Sequence, residues 1–361
     1  MLFKKFNFIL TIYIFLFIVS GCGSEIAFPF YESETNVNVD DEEVVEITGG
    51  DLKRIFPDPV RPVIYVSDAG NNSVHVIDTD TNTLVKSIGV GSQPSKMDMD
   101  SIAQYLFVMN SGGSSVSVID TSTLTVTQTI NTVYSPDSIA ASSSDMLFVS
   151  FDNFLPESVR GYDFSSLPAT HTYTDSSGLI IVGRAHDRSE IYMHGWSTAL
   201  ETFLWDVTSG DPVSLGTENI SSGAATYNPV YKTDLVMISP ALEYWGTRFP
   251  NYDGDVPLYD GLYKQATLNV EWDAIATASN HSGSELAIAH HSSVTNSTVP
   301  VDYKHDPTPD LHIFDVSTFT QAEVLNLSDY ILHNGLSYAA NGDIYYLSGR
   351  TSSSSIWVID R

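Results

Sequence analysis

The chain contains 361 residues, among which 44 acidic residues outnumber 16 basic ones and give a formal net charge of −28. Hydrophobic residues make up 42% and aromatic residues 11% of the chain, so it can bury a large core and is not a disordered acidic tail. The lack of a positive field argues against binding to nucleic acid through phosphate contacts. The single cysteine rules out a disulfide framework and a cysteine-based zinc site within the chain.

The first 21 residues have the pattern of a secretory signal peptide. Lys4 and Lys5 form a positively charged n-region, and residues 8–19 form an apolar run that is followed by small residues. A membrane-spanning anchor is the alternative, but it would need ~20 apolar residues, more than this run provides. We therefore predict that residues 1–21 are a signal peptide that is removed.

The end of this segment, Val19-Ser20-Gly21-Cys22, resembles the lipobox of bacterial lipoproteins. The resemblance implies cleavage before Cys22, a diacylglyceryl group on its sulfur, and anchoring of the mature chain by acyl chains such as palmitate. Gly23 and Ser24 follow with no aspartate at the next position, which resembles an outer-membrane sorting signal if the organism has an outer membrane. Residues 22–42 end in an acidic run and are predicted to be a solvated tether.

A repeated segment dominates the rest of the sequence. Val74–Asp78 (VHVID) recurs 42 residues later as Val116–Asp120 (VSVID), and weaker copies follow at similar spacing. Each unit contains short runs of alternating polarity separated by Gly, Asn, Asp and Ser, which is typical of strands. Four short strands per unit predict a propeller blade. The seven copies close on Asp78, Asp120, Asp163, Asp206, Asp260, Asp315 and Asp360.

We therefore predict an all-β, seven-bladed β-propeller of four-stranded blades over residues 43–361, closed by its N-terminal strand. The sequence stops at Asp360-Arg361, just after the third strand of the seventh unit. Val44–Thr48 matches the fourth-strand pattern of Leu84–Ile88. The N-terminal strand would complete the last blade and leave no open edge there.

The first two units also resemble the YVTN family of propeller repeats. The residues that carry the resemblance are Tyr65-Val-Ser-Asp, Val74–Thr79, Ile88–Gly91 and Pro94. The resemblance is specific over residues 64–141, extends loosely over residues 44–361, and includes YncE-like and surface-layer-like proteins. It implies the fold and an extracytoplasmic location, without implying a single reaction.

Two connections between second and third strands are predicted to be about a dozen residues longer than the others: residues 240–256 in blade 5 and 291–310 in blade 6. On adjacent blades they would lie side by side on one face, as an aromatic and acidic binding lip. The alternative is a pair of tolerated surface insertions whose aromatic side chains fold back onto the propeller. The candidate binding residues are Tyr244, Trp245, Arg248, Phe249, Tyr252, Asp253, Asp255, Asp302, His305, Asp306 and Asp310.

Metal binding by these connections is a further hypothesis. Their carboxylates suit Ca²⁺, although the spacing of an EF-hand is absent. Histidines in blade 6 offer a weaker route to zinc or copper, because neighbouring residues of a strand point to opposite sides. The alternative is that these are ordinary loop residues. The residues concerned are Asp253, Asp255, Asp302, Asp306 and Asp310 for calcium, and His290, His291, His305 and His312 for zinc or copper.

Alignment of the repeats also places polar residues just before the innermost strands, at the mouth of the predicted channel. Such a ring would bind a small polar ligand, or it is a solvated funnel. Its two carboxylates fall on non-adjacent blades, so no acid–base pair is inferred. The closing aspartates are instead predicted to stabilise turns. The predicted channel residues are Arg54, Lys96, Asp137, Asp273 and His333.

Three functions are compatible with the sequence. The first is a lipid-anchored binding module of the cell envelope that contacts an envelope protein or a small polar ligand through the blade 5 and blade 6 loops. The second is a hydrolase or lactonase-like propeller enzyme with its site at the channel mouth. No nucleophile-elbow, dinucleotide-binding or Walker motif occurs in the sequence, so catalysis is the less favoured prediction. The third is a structural envelope protein.

Overall fold

The structure is a computed structural model, and it describes residues 36–38, 42–48, 50–151, 155–185, 187–195, 201–219, 235–237, 244–247, 255–260, 263–269, 274–290, 310–329, 331–332, 335–350 and 353–361. Within these ranges every regular element is a β-strand. The same ranges contain no helix that is long and apolar enough to cross a membrane.

The strands are numbered β1 to β29 in chain order, beginning with β1 (Asn36–Asn38) and β2 (Glu43–Ile47). Sheet 1 consists of β3 (Leu52–Pro57), β4 (Val63–Asp68), β5 (Ser73–Asp78) and β6 (Thr83–Gly89). Sheet 2 consists of β7 (Pro94–Met99), β8 (Tyr105–Asn110), β9 (Ser115–Asp120) and β10 (Thr125–Asn131). Sheet 3 consists of β11 (Pro136–Ala141), β12 (Met146–Phe151), β13 (Val159–Asp163) and β14 (Thr170–Asp175).

Sheet 4 consists of β15 (Leu179–Arg184), β16 (Glu190–Gly195), β17 (Glu201–Asp206) and β18 (Val213–Asn219). Sheet 5 consists of β19 (Leu235–Met237), β20 (Tyr244–Thr247), β21 (Asp255–Asp260) and β22 (Tyr263–Asn269). Sheet 6 contains β23 (Ala274–Ser279), β24 (Glu285–His290), β25 (Asp310–Asp315) and β26 (Thr320–Asn326). Sheet 7 contains β27 (Leu336–Tyr338), β28 (Ile344–Arg350) and β29 (Ser353–Ile359).

The two N-terminal strands join sheets formed by the end of the chain. β2 pairs antiparallel with β29, with Val45 opposite Ile356, which is the pairing that the sequence predicts for residues 44–48. β1 pairs in parallel with β26 and adds a fifth strand to sheet 6. Residues 36–38 therefore differ from the solvated tether predicted for them, because their backbone groups pair with an outer strand that would otherwise present an open edge.

Burial follows the position of each strand within its sheet. The second and third strands of sheet 2, YLFVMN and SVSVID, are buried almost throughout, so both of their faces are covered. The fourth strand, β10, alternates between exposed and partly buried residues, as expected for a strand with one face toward water. β-branched and aromatic residues favour such pleated, packed positions.

The core is divided into layers, each shared by two neighbouring sheets. One layer joins Tyr65 and Val76 of sheet 1 to Met97 and Leu106 of sheet 2. Similar layers lie between sheets 2 and 3, 3 and 4, 6 and 7, and 7 and 1. The first strand of each sheet, called here the innermost strand, contacts the innermost strand of the next sheet, and β27 contacts β3.

The strand order defines two faces. Innermost strands begin at what we call the entry face and end at the exit face, so antiparallel pairing places the connection between second and third strands at the entry face. Contacts between neighbouring sheets connect residues that lie at the same face. At the exit face the Ser143 amide donates to the Arg188 carbonyl at 2.9 Å. At the entry face the Gln93 amide donates to Asn72 Oδ1 at 2.8 Å.

Six of the repeated aspartates end third strands, and Asp360 directly follows β29, so all seven lie at the exit face. In five sheets the carboxylate accepts a hydrogen bond from the backbone amide two residues later, at 2.8 to 3.0 Å. The predicted turn-stabilising role is confirmed for these five. The hydrogen bonds lower the pKa of four of them, so these carboxylates are ionised at neutral pH: Asp120, Asp163, Asp206 and Asp315.

Candidate functional site

Three of the innermost strands, β3, β7 and β11, carry polar residues at β-bulges. The register shifts between Leu52 and Arg54 in β3, and between Pro136 and Ser138 in β11. Equivalent shifts occur in β7, β15 and β23. A bulge leaves a residue outside the hydrogen-bonded ladder and redirects its side chain. Polar side chains can therefore stay partly exposed in strands that are otherwise apolar.

Three residues predicted just before the innermost strands lie inside them. Arg54 is in β3, Lys96 in β7 and Asp137 in β11, each partly exposed. The prediction of their position was wrong by a few residues, because the bulge lets the strand begin earlier than the apolar pattern indicates. Lys96 reaches across to sheet 3, where its Nζ donates to Ser138 Oγ at 2.8 Å.

A buried ionic centre lies near the exit-face end of the same strands. Asp98 of β7 accepts hydrogen bonds from Arg184 Nε at 2.8 Å and Nη2 at 2.7 Å. Arg188 Nη1 adds a contact at 3.3 Å and the Ala141 amide one at 2.7 Å. Because Ala141 ends β11 and Arg184 ends β15, the Asp98 carboxylate joins sheet 2 to sheets 3 and 4.

The electrostatics of this centre keep it ionised. Burial raises the pKa of Asp98, but the charges of Arg184 and Arg188 and the hydrogen bonds outweigh burial and lower it to about 2. Burial and the nearby charge of Arg184 lower the pKa of Arg188 to about 10. At neutral pH the Asp98 carboxylate thus forms ion pairs with both guanidinium groups. Such a group, closed in by its partners, braces the innermost strands rather than offering a reactive atom.

A second polar chain crosses sheet 1. His75 Nε2 lies 2.9 Å from Asp68 Oδ2, and His75 Nδ1 lies 2.9 Å from Ser87 Oγ. Burial opposes ionisation of Asp68, but hydrogen bonds from His75 and from the Asp51 and Asn71 amides lower its pKa. An ionised carboxylate only accepts, so it holds the proton on Nε2, and in the neutral imidazole Nδ1 then accepts from Ser87.

The hydrogen-bonded side chains of Asp68, His75 and Ser87 have the residue types of a catalytic triad, but the repeat indicates that they brace the sheet. In sheet 2 the positions of Asp68 and His75 are taken by Asn110 and Ser117, whose side chains also bond, Nδ2 to Oγ at 3.0 Å. Different residues thus link the second and third strands of both sheets. A single-sequence pattern does not reveal this link, because His75 looks like an ordinary position in an alternating strand.

The prediction of a loop over residues 240–256 was wrong for residues 244–247 and 255–256, which lie in strands, and the rest of that range lies outside the described residues. Tyr244 and Trp245 lie in β20, where Trp245 pairs with Met237 and Tyr259. Aromatic residues favour a strand here despite the neighbouring glycine and prolines. Asp255 begins β21, and Asp310 begins β25. Residues 220–234, which separate β18 from β19 in the chain, lie outside the described ranges.

The described structure does not bring the predicted metal-binding residues together into a site. Among the predicted histidine ligands, His312 lies in β25 with Nδ1 2.6 Å from Gln321 Oε1, and His290 ends β24. The described residues contain no group of three His, Cys, Asp or Glu side chains that could hold a metal ion. The remaining predicted residues lie outside the described ranges: Cys22, Arg248, Phe249, Tyr252, Asp253, Asp273, His291, Asp302, His305, Asp306 and His333.

No protein-family model and no curated protein matches the sequence. Among solved structures, the β-propeller domain of Cps50 (Swd1) from Myceliophteria thermophila is similar, with a TM-score of 0.64, 10% identity, and coverage of 88% of this chain and 99% of that one. The fold is a β-propeller. A chain of the Mitotic Checkpoint Complex gives a TM-score of 0.65 at 13% identity, over 98% of this chain and 100% of that one.

A chain of hydrazine synthase from Kuenenia stuttgartiensis is similar as well, with a TM-score of 0.61 at 16% identity over 90% of this chain and 98% of that one. At such identities the likeness concerns the fold. The same propeller fold supports unrelated functions, so function has to be argued from this chain's own residues.

Proposed function

We propose that this propeller is a lipid-anchored binding module of the bacterial cell envelope, which contacts an envelope protein through long connections at its entry face. The observation that carries the proposal is where the longest connections leave the described strands. Residues 220–234, 291–309 and 327–335 each connect strand ends at the entry face of sheets 4 to 7. Long connections on a fixed scaffold are where propellers and other folds place their contacts.

The proposal includes a closed ring of seven blades. It is supported by the seven sheets formed by the described strands, by the contact of β27 with β3, and by the pairing of β2 with β29. Ring closure would hold the entry-face connections of sheets 4 to 7 beside one another. The YVTN-like repeats of sheets 1 and 2 support the same architecture.

Replacing the long connections tests the binding role. A variant with residues 292–308 replaced by a short Gly-Ser linker should keep its unfolding transition and lose its crosslinked envelope partner in cells. The matched control carries the same kind of linker in place of Ser209–Asp211, in a turn at the exit face. Equal crosslinking in the variant and the control would contradict the proposal.

The anchor is tested separately. The lipobox resemblance supports lipidation of Cys22, which would tether the propeller to a membrane and, given Gly23 and Ser24, to the outer membrane where one exists. Metabolic labelling with palmitate should label the full chain and not a Cys22→Ser variant, which should also leave the membrane fraction. Membrane retention of that variant would contradict the anchor.

A small anionic ligand in the channel is a second candidate, favoured by an uneven distribution of charge. Apart from the closed Asp98–Arg184 ion pair, the described innermost strands carry three basic residues, Lys53, Arg54 and Lys96, against one acidic residue, Asp137. The whole chain has the opposite balance, with 16 basic and 44 acidic residues. Calorimetric titration with inorganic phosphate should detect binding that is weakened in a Lys96→Met variant; unchanged binding would contradict it.

A further inference from the structure

The exit face carries two exposed aliphatic side chains on neighbouring turns. Val60 and Ile102 are each 71% exposed, more than any other large hydrophobic residue among those described. Val60 lies in the turn between β3 and β4, and Ile102 lies in the equivalent turn of sheet 2, between β7 and β8. We call these two residues the apolar pair.

Both turns are held in place from beneath by buried carboxylates. Asp58 accepts hydrogen bonds from the Val60 and Arg61 amides, each at 2.9 Å, and from the Tyr65 hydroxyl at 3.0 Å. In sheet 2 the buried Asp100 accepts from the Tyr105 amide at 2.8 Å. Each turn is therefore fixed before any partner arrives, so little conformational entropy is lost on binding.

Arg61 joins the two turns. Its Nη1 donates to Asp58 Oδ2 at 2.8 Å and to the Ala103 carbonyl at 2.9 Å. Val60 precedes Arg61, and Ile102 precedes Ala103, so this one guanidinium group links the two turns that carry the apolar pair. Single exposed aliphatic residues are ordinary on protein surfaces, but two on hydrogen-bonded neighbouring turns offer a partner two apolar contacts on the same face.

The turns do not need these side chains in order to form. The equivalent turn of sheet 3 is Ser142–Asp145, that of sheet 6 is Asn280–Ser284, and that of sheet 7 is Ala339–Asp343. All three are built from small or polar residues and are closed by hydrogen bonds of their own, such as Ser142 Oγ accepting from the Met146 amide at 3.1 Å. The two turns therefore do not require the side chains of the apolar pair for their conformation.

The charges around the apolar pair select one kind of partner. Asp78 and Asp120 end the third strands of the same two sheets at the same face, and the hydrogen bond from the Ser122 hydroxyl lowers the pKa of Asp120. Anionic lipid and a second copy of this chain would both bring negative charge against these carboxylates. A basic surface would be attracted to them instead.

We propose that the apolar pair, with its acidic surroundings, is a docking surface for a basic protein segment that inserts aliphatic side chains between positive charges. Val60 and Ile102 supply the apolar contact, and the exit-face aspartates supply attraction and orientation. This surface lies opposite the entry-face connections of the proposed binding role, so either proposal can fail without the other.

The test uses a fluorescent peptide of alternating lysine and leucine as the probe and the full chain as the target. Fluorescence anisotropy should show binding that weakens with added salt and is at least tenfold weaker for the Val60→Ser/Ile102→Ser variant. The matched control is Val133→Ser, an exposed valine (47%) at the entry face, which should bind like the wild type. All three proteins should unfold at the same denaturant concentration.

Several results would overturn the proposal. Equal affinity of the double variant and the control for the peptide would place binding elsewhere on the acidic surface. If the wild type does not bind the peptide, the proposal of a basic partner is wrong. Binding to phosphatidylglycerol vesicles that depends on the apolar pair would assign the surface to lipid. Self-association that the double substitution abolishes would assign it to a second copy of this chain.

Discussion

At the scale of single residues, the strongest constraint is the carboxylate of Asp98, which is buried beneath two arginines. The sequence does not predict this centre, because Asp98 and Arg184 are separated by 86 positions and neither lies in a recognisable motif. An isolated aspartate in an innermost strand is a weak signal until the fold brings its partners together. The turn aspartates are different, since their hydrogen bonds are local and the repeat predicts them.

Replacing Asp98 with asparagine should lower the free energy of unfolding at pH 7 by roughly 3–5 kcal/mol, because two buried guanidinium groups lose their carboxylate. The pKa of Asp98 is lowered from its ordinary 3.8 to about 2. Its ionised form therefore stabilises the fold above pH 3.8, and this contribution is lost as the pH falls toward 2. Urea unfolding as a function of pH measures both effects.

The control for this prediction is Asp80→Asn, the same chemical change at an exposed residue of an exit-face turn. The control should stay within about 0.5 kcal/mol of the wild type, as surface substitutions usually do. An Asp98→Asn protein that is as stable as the control, or that keeps the wild-type loss of stability between pH 4 and pH 2, would contradict the account of this centre.

The Asp68–His75–Ser87 chain gives a second prediction at this scale. His75→Ala should destabilise the fold by roughly 1–3 kcal/mol, because the buried Asp68 loses a donor. Ser87→Ala should cost less than about 1 kcal/mol, because Ser87 is exposed and water can replace its hydroxyl. Chemical denaturation measures both changes. A larger loss for Ser87→Ala than for His75→Ala would be inconsistent with a bracing role.

At the scale of elements, the sequence predicts strands well where alternation and turn residues coincide, and poorly in sheet 5. The repeat predicts the third strands of sheets 1 and 2, β5 and β9, with their closing aspartates. β19 and β20 have only three and four residues, too few for an alternating pattern to show. Their neighbouring prolines and glycine therefore favour a loop in the sequence, whereas residues 244–247 form a strand.

The two N-terminal strands should contribute unequally to stability. Val45 and Ile47 of β2 are buried in the layer between sheets 7 and 1, so a chain that starts at residue 50 should lose at least about 4 kcal/mol of stability or fail to fold cooperatively. A chain that starts at residue 40 lacks, of the described strands, the three-residue β1 alone and should unfold much like the full protein. Thermal unfolding of both chains measures the difference, and equal losses would contradict it.

At the scale of the whole molecule, the core of the described residues is divided into layers, each of which lies between two neighbouring sheets. The sequence predicts this arrangement because each repeat forms one sheet, and equivalent sheets bury their two faces against their neighbours. It does not predict which residues of one sheet contact the next, since those contacts depend on how the sheets stack. Lys96 with Ser138, and Arg61 with Ala103, are contacts of this kind.

The central claim is that the first and last strands of the propeller close it into a ring. Its most direct test is a disulfide between Glu46→Cys and Ser355→Cys, two directly opposed residues of β2 and β29 outside the core, in a Cys22→Ser chain. Closure predicts that the bond forms by air oxidation in the folded protein and raises Tm. The control pairs Glu43→Cys with Ser355→Cys, three residues out of register, and should keep free thiols. Free thiols in the in-register variant, or equal oxidation of both variants, would contradict a ring closed by the N-terminal strand.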